Sequence, residues 1–179
     1  AKSIIKLTLK NSIFTKLCAG YGFINIDAGS GAGHLDNVEI DGCTFNSICV
    51  TGKVFIFSKK TNMQDITIKN STFYNCNGNG QYFVDFNDAK FGPNTFTIEN
   101  CIFGKSADER TDKNIRSKTP ANVANSFRTT DFFKVIKGVY DTEFSSDQLF
   151  TDPANGNFTI KAGTLKEKAG DPRWYVVED

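Results

Sequence analysis

Four times within its first 103 residues the chain repeats one short pattern: two apolar residues two apart, a turn residue, and a phenylalanine three places on. The copies are LTLKNSIF (7–14), VEIDGCTF (38–45), ITIKNSTF (66–73) and FTIENCIF (96–103), spaced 28 to 31 residues apart. Self-similarity at such a period marks a solenoid, in which each repeat buries its apolar face only by stacking on the next. Leu7 and Leu9, Val38 and Ile40, Ile66 and Ile68, and Phe96 and Ile98 place alternate side chains on one face of a short strand. Asn11, Gly42, Asn70 and Asn100 follow, residue types that readily enter the left-handed conformation a sharp corner needs. Phe14, Phe45, Phe73 and Phe103 then take the same place in every copy.

A second strand follows about a dozen residues after each of the first three corners: FINID (23–27), VFIFS (54–58) and YFVDF (82–86). Strands this short pair edge to edge with their copies about 4.8 Å away, building columns of Ile on Ile and Phe on Phe. The fold class that follows is all-β: a right-handed parallel β-helix of about four to five coils with an irregular C-terminal cap. A β-sandwich would leave the invariant place of the phenylalanines unexplained. The absence of helical periodicity between strands argues against βαβ and leucine-rich arrangements. Asn11, Asn70 and Asn100 are expected to form a side-chain amide ladder, interrupted at Gly42.

A length of 179 residues with 39% apolar content suffices for one domain with a continuous core. Residues 1–103 read as regular coils. Residues 104–130, charged and containing Pro120, read as an inserted loop, and 131–179 as the last coil and cap, with Trp174 packed on the last rung. The first residues already lie within a coil, so the domain is expected to be the C-terminal part of a longer protein. Lys and Arg number 21 against 20 Asp and Glu and are spread along the chain, which argues against nucleic acid as a partner. No stretch is long and apolar enough to cross a bilayer. The five cysteines, Cys18, Cys43, Cys49, Cys76 and Cys101, form no C-x-x-C pair and occupy interior columns, so buried free thiols are expected rather than a disulfide framework or a metal site. His34 is the single histidine, which cannot make a zinc site unaided.

This pattern resembles the pectate-lyase-like β-helix proteins. The closing DPANGNFTIKAG and AGDPRW are similar to the C-terminal domain of uncharacterised secreted proteins of that superfamily from gut bacteria, encoded with polysaccharide-utilisation systems. The resemblance implies an exported or cell-surface protein that handles polysaccharide, held at the surface through other parts of its precursor and monomeric. It leaves the reaction open, because such helices host lyases, hydrolases, esterases and pure binding proteins.

In lyases of the superfamily the strand after the long loop carries calcium-binding carboxylates on its outer face, with an arginine as base. The matching strands here are 23–27, 54–58 and 82–86, with Asn25, Asp27, Ser58 and Asp85 expected to point outward and Lys59, Lys60 and Asp88 in adjoining loops. Asp27 and Asp85 stand two coils, about 9 to 10 Å, apart, whereas ligands sharing a calcium ion each lie about 2.3 to 2.6 Å from it. No cofactor is therefore expected. All four arginines, Arg110, Arg116, Arg128 and Arg173, lie beyond the regular coils, although a folded-back loop could deliver Arg110 or Arg116. Asp85 and Asp88 are the nearest candidates for the acid pair of a hydrolase. The leading expectation is a non-catalytic, extracellular module binding glycan along Asn25, Asp27, Lys59, Tyr82, Asp85 and Asp88. The alternatives are a polysaccharide lyase or glycoside hydrolase, or a structural spacer.

Overall fold

The computed structural model describes residues 4–18, 20–26, 34–161, 163–165 and 168–175. Coil 1 consists of β1 (Ile4–Lys10), β2 (Ile13–Thr15) and β3 (Gly22–Ile26), and coil 2 of β4 (Leu35–Asp41), β5 (Thr44–Asn46) and β6 (Val54–Ser58). Coil 3 has β7 (Met63–Lys69), β8 (Thr72–Tyr74) and β9 (Val84–Asp85), and coil 4 has β10 (Pro93–Glu99), β11 (Ile102–Phe103) and β12 (Ile115–Arg116). Coil 5 supplies β13 (Asn122–Ala124) and β14 (Phe127–Arg128), after which β15 (Tyr140–Asp141) pairs with β14. The first sheet runs β1-β4-β7-β10-β13, the second β2-β5-β8-β11-β14-β15 and the third β3-β6-β9-β12, every pairing parallel. The architecture is an all-β parallel β-helix.

The repeat places its apolar residues in register. Leu7, Val38, Ile66 and Phe96 form one column, and Leu9, Ile40, Ile68, Ile98 and Val123 the next. Phe14, Phe45, Phe73 and Phe103 stack with centroids 5.0–5.2 Å apart and planes within 13°. Phe23, Phe55 and Phe83 form a second stack, and the two columns meet edge to face at 66–87°. Each aromatic pair contributes about 0.5–1.5 kcal/mol beyond its buried area, so the double column is a principal source of the stack's cohesion.

The corners take positive φ at Asn11, Gly42, Asn70, Asn100 and Asn125. Asn125 Nδ2 donates to Asn100 Oδ1 (2.7 Å), Asn100 Nδ2 to Asn70 Oδ1 (3.1 Å), and Asn70 Nδ2 to Asp41 Oδ1 (2.7 Å). The ladder is thus present and breaks at Gly42, where the preceding Asp41 supplies the acceptor.

Three expectations need correction. Residues 104–130 are not an insertion: they carry β12, β13 and β14, one strand for each sheet. These strands have two or three residues, too few to show apolar alternation, and their pairing with coil 4 and coil 3 neighbours defines them. The closing segment does not lie over the last rung. Its α1 (Ser146–Leu149) leads into an antiparallel pair, β16 (Phe150–Asp152) and β17 (Asn157–Ile160). This strap lies along the outer side of the second sheet, where Phe158 packs on Tyr74 and Gly170 N–H donates to the Asn100 carbonyl. Trp174 meets Phe158 edge to face and donates to Thr44 Oγ1 (2.7 Å) in coil 2. Over Phe103 sits Phe132 instead, at 5.2 Å. Finally, Cys18 and Cys49 are joined by a disulfide between coils 1 and 2, while Cys43, Cys76 and Cys101 are buried free thiols as expected. Burial pushes the Cys76 and Cys101 thiols up to about 12.

Candidate functional site

The third sheet presents one row of side chains outward through four coils: Asn25, Phe57, Asp85 and Arg116 stand in register. Phe57 rather than Ser58 takes the outer place in coil 2. Phe55 and Ile56 both belong to the core, a slip of one residue in the alternation that turns Phe57 out and Ser58 in. Ser58 is fully buried with its hydroxyl unpartnered.

Along this row runs a groove of about 450 Å³ lined by Tyr21, Gly52, Lys53, Val54, Phe57, Lys59, Gln81, Asp85, Asn87 and Arg116. Tyr21, 55% exposed, packs on Phe57 with centroids 5.3 Å apart and planes tilted by 35°, and Lys53 Nζ lies 5.6 Å from the Tyr21 ring. At the other end, Arg116 Nε and Nη2 donate to Asp85 Oδ1 (2.6 Å) and Oδ2 (2.8 Å), and Asn87 N–H also donates to Oδ1. Asp85 is only 4% exposed, so a two-pronged, charge-assisted pair is what allows its carboxylate to sit there. The same pairing holds the Arg116 guanidinium above its ordinary value. Tyr82 underlies this end, its ring 4.9 Å from the Arg116 guanidinium and 4.8 Å from Lys113 Nζ.

Of the residues singled out from the sequence, the structure brings Lys59 and Asp85 to the groove and Asn25 and Tyr82 to its margins. The Asp88 carboxylate accepts the Lys90 N–H at 3.0 Å in the loop that follows, while Asp85 is held by Arg116. Asp27 lies outside the described residues. Tyr21, Lys53, Phe57, Gln81 and Asn87 are additions from the structure, and of the two arginines that the sequence allows to reach this face, Arg116 arrives, on β12. The repeat period could have found Arg116, which follows Asp85 by 31 residues.

The outer side of the first sheet carries a groove of equal volume, lined by Lys6, Asn37, Glu39, Asp41, Asp65, Thr67 and Lys69 together with Val38. It has no aromatic residue, and its acids are occupied. Lys6 and Lys10 bridge Glu39, Asn70 donates to Asp41, and Thr67 and Thr95 donate to Asp65. Among the described residues no group of His, Cys, Asp and Glu side chains could hold a metal ion, and no helix is long and apolar enough to cross a membrane.

Among known protein families, the one described as Domain of unknown function (DUF5123) matches residues 66–174, from within β7 to the Trp174 turn of the strap. Neither the curated proteins nor the solved structures yielded a match. The match takes in more than half of the chain and ends with the strap, and the chain belongs to this family, the domain of unknown function DUF5123.

Proposed function

We propose that the domain is a non-catalytic, extracellular carbohydrate-associated module that binds glycan along the third-sheet groove. The observation that carries this reading is the combination of one exposed aromatic ring, Tyr21, backed by the largely buried Phe57, with the amides of Gln81 and Asn87 in one open groove. Aromatic rings pack against the apolar faces of sugar rings, and a few placed polar groups take up the hydroxyls. The Asp85–Arg116 pair argues against catalysis, because each satisfies the other: the carboxylate accepts three hydrogen bonds, and the guanidinium is held protonated. An extracellular setting is supported by the Cys18–Cys49 disulfide, since such bonds persist in oxidising compartments.

Calorimetry with oligogalacturonate, xylo-oligosaccharide and mucin O-glycans tests the reading. Binding without release of new chain ends is expected, weakened about tenfold by Tyr21→Ala, the scale of one aromatic contact. No heat of binding to any of these sugars would remove the proposal. A second reading, a polysaccharide lyase or glycosidase, draws support from the delivery of Arg116 to the same face as Asp85. It requires unsaturated or reducing ends to be released from these polymers and to vanish in Asp85→Ala.

A further inference from the structure

Tyr21, the most exposed part of the aromatic surface, comes from a loop that is anchored differently from its equivalents. In coil 3 the loop between second- and third-sheet strands is tied to coil 2, with Asn77 Nδ2 donating to the Lys53 carbonyl (3.0 Å) and the Asn77 and Gly78 N–H groups donating to the Ile48 and Cys49 carbonyls. On its other side Asp108 of coil 4 accepts the Gly80 N–H. In coil 2 the equivalent loop is buried at Ile48 and Cys49. The coil 1 loop exposes Leu17, Cys18 and Tyr21. Its bonds to coil 2 include Lys16 N–H to the Asn46 carbonyl, Cys49 N–H to the Leu17 carbonyl, Val54 N–H to the Tyr21 carbonyl, and the Cys18–Cys49 disulfide.

We infer that the Cys18–Cys49 disulfide is a positioning element of the groove, holding Tyr21 against Phe57 so that glycan binding depends on the oxidised state of this one cysteine pair. The inference rests on the glycan-binding reading and adds a control on it. Cys18 precedes Tyr21 by three residues, so the cross-link to Cys49 sets where the ring can lie. The Cα atoms of the pair are 4.8 Å apart, and the bond fastens coil 1 to coil 2 at the loop itself. Without it, three backbone hydrogen bonds, at Lys16, Leu17 and Tyr21, still tie the loop to coil 2, but among the described residues no side-chain bond comparable to those of Asn77 in coil 3 fixes it beside the ring.

Reduction by a dithiol is a two-electron exchange. The single S–S bond breaks, each sulfur gains one electron and one proton to give the Cys18 and Cys49 thiols, and the dithiol is oxidised to its cyclic disulfide. Cys18 is exposed and open to attack by a reductant thiolate, whereas Cys43, Cys76 and Cys101 are buried. The Cys76 and Cys101 thiols, pushed up to about 12, offer no thiolate for reshuffling near neutral pH. One bond therefore responds.

The test uses the whole chain with and without dithiothreitol, alongside Cys18→Ser/Cys49→Ser and Tyr21→Ala. The first readout needs no sugar: hydrogen exchange over residues 17–26. It is expected to quicken on reduction and in the double serine variant, while the buried strands of coils 3 and 4 keep their protection. The second readout is affinity for oligogalacturonate and xylo-oligosaccharide, expected to fall about tenfold on reduction, the worth of one aromatic contact. Reduction should cause no further fall in Tyr21→Ala, because the disulfide acts through that ring. Unchanged exchange over 17–26, or equal affinity in both redox states, overturns the inference. If exchange quickens but neither state binds sugar, the glycan reading fails and oxidation-dependent binding with it, while the positioning of the loop stands on the exchange data.

Discussion

On the outer side of the second sheet, Thr44, Thr72 and Ile102 are buried beneath the strap, whereas the equivalent row on the third sheet, from Asn25 through Phe57 and Asp85 to Arg116, faces an open groove. Both rows come from one repeat. The covered flank received small hydroxyls and an isoleucine that match the strap: Asp171 accepts from Thr44 Oγ1 (2.7 Å) and donates its own N–H to Thr72 Oγ1 (2.9 Å), and Gly170 approaches Ile102 with no room for a side chain. Phe158, Phe150, Leu149 and Ile160 join Tyr74 and Ile102 in a second apolar cluster outside the main core. The open flank received a ring surface and a satisfied ion pair, which tolerate water. The contrast teaches that burial of the inward columns builds the helix, while the outward rows are free to be closed or left available.

The largest expected effect breaks the closed flank. Phe158→Ala empties a fully buried site between Phe150, Tyr74 and Trp174 and is expected to cost about 3–5 kcal/mol in urea unfolding. Hydrogen exchange should rise in the strap, as at Gly170 and Lys161, and stay slow in β6 and β9. Equal loss of protection in the third sheet would mean that the flanks are not independent.

Arg116→Ala probes the open flank. It strips two charge-assisted hydrogen bonds from the buried Asp85 carboxylate but leaves the Asn87 N–H in place, and Arg116 is itself a third exposed. The expected loss is about 1–2 kcal/mol by chemical denaturation, and Arg116→Lys should recover only part, lacking the fork. A loss as large as that of Phe158→Ala would mark the pair as a structural keystone and remove the distinction between the flanks.

The first sheet supplies the mildest case. The hydrogen bonds from Lys10 and Lys6 hold the Glu39 carboxyl down to about 2 from its ordinary 4.5. A carboxyl lowered on folding stabilises the protein above its unfolded value and loses that contribution as pH falls through the folded one. Glu39→Gln is therefore expected to cost a few tenths of a kcal/mol at pH 7, since the ion pairs are exposed to solvent. The difference from the parent protein should close between about pH 4.5 and pH 2. A difference that persisted below that window would assign the effect to packing rather than charge.

Much of the helix was legible because its cause is local. Ile40, Ile68 and Ile98 must be apolar to be buried, Asn70 and Asn100 must bear positive φ, and Phe45 and Phe73 must stack; each leaves a mark at a regular interval. The candidate site was less legible. Asp85 was read as outward, but Phe57 was hidden by the slip at Phe55 and Ile56, and Arg116 by a two-residue strand in a stretch that looks like a loop. No short-range motif joins Cys18 and Cys49, yet they meet across adjacent coils.

What the sequence by itself determined is the inside of this protein, because a column of buried side chains requires the same kind of residue at every turn and so writes itself as a repeat. What only the tertiary structure decided is who meets whom outside. Cys18 finds Cys49 and Asp85 finds Arg116 each across 31 residues, and Trp174 reaches Thr44 across 130. Those meetings depend on loop lengths that set the register between coils and on a strap that folds back along the stack. They are made by geometry accumulated over the whole chain rather than by any local pattern, which is why the groove, its aromatic surface and its cysteine clamp emerge only once the coils are stacked.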